Sequence, residues 1–125
     1  MDKKRTNRIS EEVKRIVSEL LNNGIKDPRV NTMTTVTEVE VTNDLSFANI
    51  YVSVLGDSED KDNSIAGLES AKGFIRSEIG KKVNLRHIPE PVFHLDESIE
   101  HAMNISKLID EIKEKDSKNR GTDDD

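Results

Sequence analysis

One amphipathic stretch, Ser64 to His87 (SIAGLESAKGFIRSEIGKKVNLRH), constrains this chain more than any other. Its apolar residues fall at Ile65, Leu68, Ala71, Ile75 and Ile79, in steps of 3, 3, 4 and 4. That spacing lays a single stripe along a helix. Lys72, Arg76, Lys81 and Lys82 interleave with the stripe and are expected to lie off its buried face. Gly73 interrupts it, and a glycine inside a helix costs about 1 kcal/mol relative to alanine. The pattern therefore predicts two short helices meeting at a kink, Ala71-Lys72-Gly73.

The rest of the chain supplies partners for that pair. Ile9, Val13, Ile16, Val17, Leu20 and Leu21 recur with helical period, predicting a first helix over about Thr6 to Asn23 that Gly24 stops. Lys26-Asp27-Pro28-Arg29 reads as a turn, because Pro28 fixes its own φ and restricts Asp27. From Thr32 to Thr42 the chain is rich in β-branched residues. Thr37, Val39 and Val41 are expected on one face of this strand, with Glu38 and Glu40 on the other. Thr42 to Leu45 is a tight connection to an antiparallel second strand, Ser46 to Leu55. Its apolar face of Ala48, Ile50, Val52 and Val54 suits the centre of a sheet, and Phe47 and Tyr51 fall on the other face. Gly56 to Asn63 reads as an acidic loop, with Asp62 or Asn63 capping the next helix. After Pro89 and Pro91, Val92 to Asp96 predicts a short third strand. A last helix over about Ser98 to Lys113 carries Ile99, Ala102, Ile105, Ile109 and Ile112 on one stripe.

The order α-β-β-α-kink-α-β-α gives an α+β domain, a three-stranded sheet with helices on one face and a parallel crossover into the third strand. The domain is expected to span residues 1–114. Residues 115–125 have no apolar side chain and are expected to form a disordered acidic tail.

Composition narrows the function. The 125-residue chain has no cysteine, which excludes disulfides and thiolate chemistry and fits a reducing compartment. With no signal-peptide pattern and no run approaching the ~20 apolar residues of a membrane span, a cytoplasmic location is expected. The net charge of −6 is segregated. Residues 1–15 carry six basic and three acidic side chains (+3), residues 64–88 five and two (+3), and residues 96–125 five and ten (−5). Because salt screens charge over about 8 Å, a phosphate responds to the local patch rather than to the total. Two basic sets are thus candidate RNA contacts. One comprises Lys72, Arg76, Lys81, Lys82 and Arg86 around and beyond the kink. The other comprises Lys3, Lys4, Arg5, Arg8, Lys14 and Arg15 on the first helix. Base stacking is expected to be minor, with aromatics at 3% and Phe74 and Phe93 assigned to the core.

The order α-β-β-α-α-β resembles that of the type II KH domain, which binds single-stranded nucleic acid and usually clamps its backbone with a GXXG loop. No two glycines stand three apart here. In that place stands Ala71-Lys72-Gly73, similar to the Ala-x-Gly kink of the bacterial ribosome-binding factor A family. Ile25 to Arg29 (IKDPR), Thr34 to Val41 (TTVTEVEV), Asp44 to Ala48 (DLSFA), Tyr51 to Val54 (YVSV), Gly73 to Arg76 (GFIR) and Ile88 to Glu90 (IPE) resemble that family too. The resemblance covers residues 4–112. It implies a non-enzymatic assembly factor that binds 16S rRNA on the free 30S subunit and supports maturation of the 16S 5′ end. Such a factor matters most in the cold and leaves before translation begins. No cofactor, metal, membrane or small-molecule substrate is implied, and the factor is expected to be a monomer.

An enzyme fits poorly. His87, His94 and His101 are spaced by seven residues on a loop, a strand and a helix, unlike a helical metal pair, and no Walker or GxSxG motif is present. Two binding readings remain. One is a generic KH-type module for flexible single strands, against which the missing second glycine speaks. The other is a protein-only module using the Phe47/Tyr51 face.

Overall fold

The computed structural model describes residues 3–23, 25, 27–30 and 33–123. Gly24 as a helix stop, Lys26 in the turn and Thr32 at the strand start lie outside them. The elements are α1 (Lys3–Asn23), β1 (Thr34–Val41), β2 (Phe47–Val54), α2 (Ser58–Ser70), α3 (Lys72–Lys82), β3 (Glu90–Leu95) and α4 (Ser98–Asp123). The sheet order is β1-β2-β3, with β1 antiparallel and β3 parallel to β2. This is the α+β, type II KH-like order that the sequence predicts.

The core forms where the predicted stripes meet. Ala48, Ile50 and Val52 of β2 are fully buried, as are Val13 and Val17 of α1, Leu68 of α2, and Ile75 and Ile79 of α3. Each large aliphatic side chain removed from water contributes about 1.5–3 kcal/mol. Helices α1, α2 and α3 cover this one face of the sheet. The Ser10 hydroxyl bridges α1 to the sheet, donating to Thr6 O at 2.8 Å and accepting from the Val41 amide at 3.0 Å.

Four local expectations are corrected. The β1–β2 register shifts between Val36 and Glu38, so β1 buries Thr34, Val36, Val39 and Val41. Thr37 is the extra residue of this bulge rather than a member of the inner face. Its hydroxyl turns to Asp96, 2.6 Å from Oδ2. The segment read as an acidic loop is already helix from Ser58. Asp57 Oδ1 accepts from the Asp60 amide at 2.8 Å and Asp60 Oδ2 from the Asp57 amide at 3.1 Å. This reciprocal capping box, with acids at the positive end of the helix dipole, starts α2 well before Asp62. Phe74 is 47% exposed, whereas Phe93 is buried as expected.

The fourth correction concerns α4. It forms at Ser98 and runs past Lys113, the expected last helical residue, to Asp123, through residues expected to be disordered. Lysine and glutamate are good helix formers even without an apolar stripe. Its stripe does not pack on the domain: Ile99, Ile105, Ile109 and Ile112 are each 45–60% exposed. Lys61 holds the start of α4, with Nζ 2.7 Å from Glu100 Oε2 and 3.4 Å from Glu97 Oε2. Among the described residues no helix is long and apolar enough to cross a membrane.

Candidate nucleic-acid interface

The break between α2 and α3 is a single residue. Ala71 has φ −87° and ψ 3°, its amide donates to the Gly67 and Leu68 carbonyls, and its own carbonyl accepts from the Ile75 amide at 2.9 Å. Among the described residues no side chain caps α3. The kink is braced from the Asp27–Arg29 turn. The Arg29 guanidinium grips Asp27 through two hydrogen bonds, Nε to Oδ1 at 3.1 Å and Nη2 to Oδ2 at 2.7 Å, and Nη2 also reaches Ser70 Oγ at 2.8 Å. This contact holds the Asp27 carboxyl down at about 2.

The glycine that packing demands is Gly67, not Gly73. A Cβ on Gly67 would lie 2.7 Å from Val30 Cγ2 and 3.3 Å from Arg29 Cβ, so the turn sits directly on the α2 backbone. A Cβ on Gly73 would meet nothing within 4 Å among the described residues. Gly73 therefore leaves bare backbone facing open space, as it would if something outside the chain had to approach closely.

That space is a groove of ≈ 800 Å³ lined by Asp44, Leu45, Ser46, Lys72, Gly73, Arg76, His87, Ile88 and Glu90. Leu45 forms its floor beside the β1–β2 turn. It adopts φ 61°, an unfavourable value for a branched side chain, while being 93% buried (7% exposed). Left-handed backbone costs about 1–2 kcal/mol, and burial of the leucine offsets it. Asp44 fixes the turn by accepting from the Ser46 amide at 3.0 Å and the Thr42 hydroxyl at 2.8 Å, which lowers its pKa.

Of the kink set, Lys72, Gly73 and Arg76 line this groove, with Ala71 at the break itself. Lys72 is not a bare cation. Its Nζ lies 2.9 Å from Glu90 Oε1 and 3.9 Å from Glu69 Oε2, and its pKa is raised chiefly by Glu90. Arg76 donates to the Ile88 carbonyl through Nη2 at 3.3 Å and Nε at 3.4 Å. Lys81 and Lys82 sit in the last turn of α3, where they pair with Glu78 at 3.1 Å and with Glu19 of α1 at 3.7 Å. Arg86 is exposed on the loop beyond. The second set lies along α1. Lys3, Lys4, Arg5, Arg8 and Arg15 are exposed there and Lys14 is half-buried. Arg8 and Arg15 flank a shallow depression with Glu11 and Glu12.

Sequence reading missed Asp44, His87 and Glu90 as groove residues, because the turn, loop and strand that carry them are separated in the chain. The opposite sheet face offers a weaker nucleic-acid surface. Phe47 is exposed there, Tyr51 stacks on His94 at 4.9 Å between centroids, and Glu38 and Glu40 stand exposed on β1. Like charge there repels a phosphate chain.

The family model for Ribosome-binding factor A matches residues 5–109. A Ribosome-binding factor A of Clostridioides difficile (strain 630) is 53% identical over 111 residues, 89% of this chain and 86% of its own. The solution NMR structure of a putative ribosome binding factor A from Thermotoga maritima superposes with a TM-score of 0.66 at 33% identity, over 72% of this chain and 85% of that one. A homology model of the Thermus thermophilus ribosome binding factor A, fitted into the cryo-EM map of a 30S complex, has a TM-score of 0.58 at 22% identity, over 70% and 91%.

Proposed function

The chain belongs to the ribosome-binding factor A family, and on that premise we propose that it binds the free small ribosomal subunit and supports its maturation. In this reading its ligand is 16S rRNA, and its action assists processing of the 16S 5′ end without catalysing it. It works as a monomer in the cytoplasm. Family membership over most of the chain carries the proposal. The 30S complex of the Thermus relative supports the choice of partner.

Within the molecule, we place the RNA contact at the kink. The open space over Gly73 is the observation that selects it. A phosphodiester entering the groove meets bare backbone at Gly73, with Lys72 and Arg76 on the same wall. Arg86, Lys81 and Lys82 extend the contact beyond the groove, and the α1 set of Lys3, Lys4, Arg5, Arg8, Lys14 and Arg15 provides a second basic surface. A generic single-strand module is less well supported, because one glycine at the kink admits a backbone less closely than the GXXG loop.

The folding unit in this proposal is residues 1–114, with 115–125 an appendage to it. Truncation after Lys115 should leave the melting temperature within about 1 °C, since changes away from packing stay within roughly 0.5 kcal/mol. The function itself is tested by sedimenting tagged protein through a sucrose gradient. It should travel with free small subunits and be scarce on translating ribosomes. Equal occupancy of polysomes would point to a translation factor or a ribosomal protein instead.

A further inference from the structure

We infer that Glu90 sets the affinity of the groove, by occupying at Lys72 the place that an RNA phosphate takes when it binds. This rests on the groove being the RNA contact. Glu90 is the first residue of β3, where its amide donates to Ser46 O at 2.9 Å, so its position is fixed by the sheet. Its carboxylate reaches across to Lys72 on α3, with Oε1 2.9 Å from Nζ. Both side chains line the groove, so the pair lies inside the space a ligand would enter.

The pair is built to exchange. The Lys72 side chain is 30% exposed and that of Glu90 50%, so water screens them, and ion pairs in that setting are weak. A phosphate oxygen can therefore replace the carboxylate on Nζ. The displaced carboxylate stays within a few ångströms, on the strand that forms the groove wall, and it repels the incoming anion. Asp44 adds a second carboxylate to the same groove. The net effect is a site with the right donors whose hold on RNA is deliberately moderate. That suits a factor that binds a subunit and then has to leave it.

The experiment measures binding of the full-length protein to purified free small subunits at one fixed salt concentration. Wild type is compared with Glu90→Gln, Lys72→Gln, the Glu90→Gln/Lys72→Gln pair and Glu38→Gln. The last is a control that removes the same charge from the opposite sheet face. Circular dichroism checks folding, which an exposed Glu→Gln change should not alter. Glu90→Gln should tighten binding by roughly three- to tenfold, the size expected for one half-screened charge near a phosphate. Lys72→Gln should weaken binding, and adding Glu90→Gln to it should restore little. Glu38→Gln should change almost nothing.

If Lys72→Gln weakens binding while Glu90→Gln leaves it unchanged, Glu90 is only a structural neighbour and the inference fails while the groove reading stands. Equal gains from Glu90→Gln and Glu38→Gln would reduce the effect to net charge and overturn it as well. If Lys72→Gln binds like wild type, the groove reading itself fails, and any gain from Glu90→Gln does not act through Lys72.

Discussion

At the kink and along α3, Lys72 meets Glu90 and Glu69, Arg76 meets the Ile88 carbonyl, Lys81 meets Glu78, and Lys82 meets Glu19. Along α1, Arg5, Arg8, Lys14 and Arg15 have no ion-pair partner among the described residues. Both regions carry an excess of basic side chains in the sequence, yet they present different physics to an RNA. Lys72 and Arg76 are held in fixed directions around a groove, which favours a defined short-range contact, and pairing weakens the distant field of the whole set. The unpaired cations project a field and have no fixed geometry, which favours attraction from a distance and a salt-sensitive on-rate. Charge counts along a sequence cannot separate these two cases, because Glu90 and Glu19 reach Lys72 and Lys82 from other elements of the fold.

The largest effect should come from reversing the geometric set. Lys72→Glu with Arg76→Glu leaves the buried stripe of Leu68, Ile75 and Ile79 untouched, so circular dichroism and melting should stay near wild type. Affinity for free small subunits at physiological salt should fall by about a hundredfold, ~2.7 kcal/mol. The log–log salt slope should shrink by about 1.4–1.8 for two lost phosphate contacts. Should the folded double variant bind with wild-type affinity and slope, the kink is not the contact and α1 takes its place.

The next effect separates the support of the kink from its contact surface. Gly67→Ala forces a methyl against Val30 and the turn, and overpacking of this kind costs about 1–3 kcal/mol. Gly73→Ala adds a methyl to open space and gains up to about 1 kcal/mol of helix propensity. Melting should therefore fall for Gly67→Ala and hold or rise for Gly73→Ala, while subunit binding weakens in the second variant at full stability. A Gly73→Ala protein that melts lower would return Gly73 to a purely structural role.

These contrasts mark what the chain reveals before it folds. The stripe through Ile75 and Ile79 and the inner face of β2 were legible because burial imposes a period of 3.6 or 2 on neighbours in sequence. The bulge at Thr37 was not, since one extra residue shifts the phase of alternation without changing composition. The cap at Asp57 was hidden because Asp and Ser favour both loops and helix starts. For α4 the stripe announced a helix, but whether a stripe is covered depends on a partner surface that periodicity does not encode. The kink was readable at Ala71-Lys72-Gly73, while its brace was not, because Arg29 and Ser70 lie 41 residues apart.

A smaller effect is expected at α1. Arg8→Gln with Arg15→Gln removes two unpaired charges on an exposed helix face. It should lower affinity by about two- to fivefold, mainly through the association rate, and the difference should fade as salt is raised. Stopped-flow association with free small subunits measures this. A loss as deep as that of the kink double variant, residing in the dissociation rate, would mean that α1 makes the specific contact.

The smallest effect concerns the brace itself, and its contribution to stability disappears in acid. The Asp27 carboxyl sits at about 2 in the folded chain against an ordinary 3.8, held down first by the Arg29 side chain and then by the Arg29 amide. A folded value below the unfolded one means that the folded state binds its proton less readily. The stabilisation is then fully present above the unfolded value and is lost as pH falls from 3.8 toward 2. Asp44 and Asp96, whose values are also lowered, act in the same direction. Asp27→Asn removes one part of this dependence. In urea unfolding the variant should be slightly less stable than wild type above about pH 4, and the two should converge near pH 2, where the wild-type carboxyl takes up its proton. Because Arg29 also holds Ser70 at the end of α2, the variant should lose some subunit affinity at neutral pH with its cations intact. Curves that stay parallel from pH 7 to 2 would show that the Asp27–Arg29 pair contributes nothing to stability. The kink would then owe its angle to the packing of Val30 on Gly67 alone.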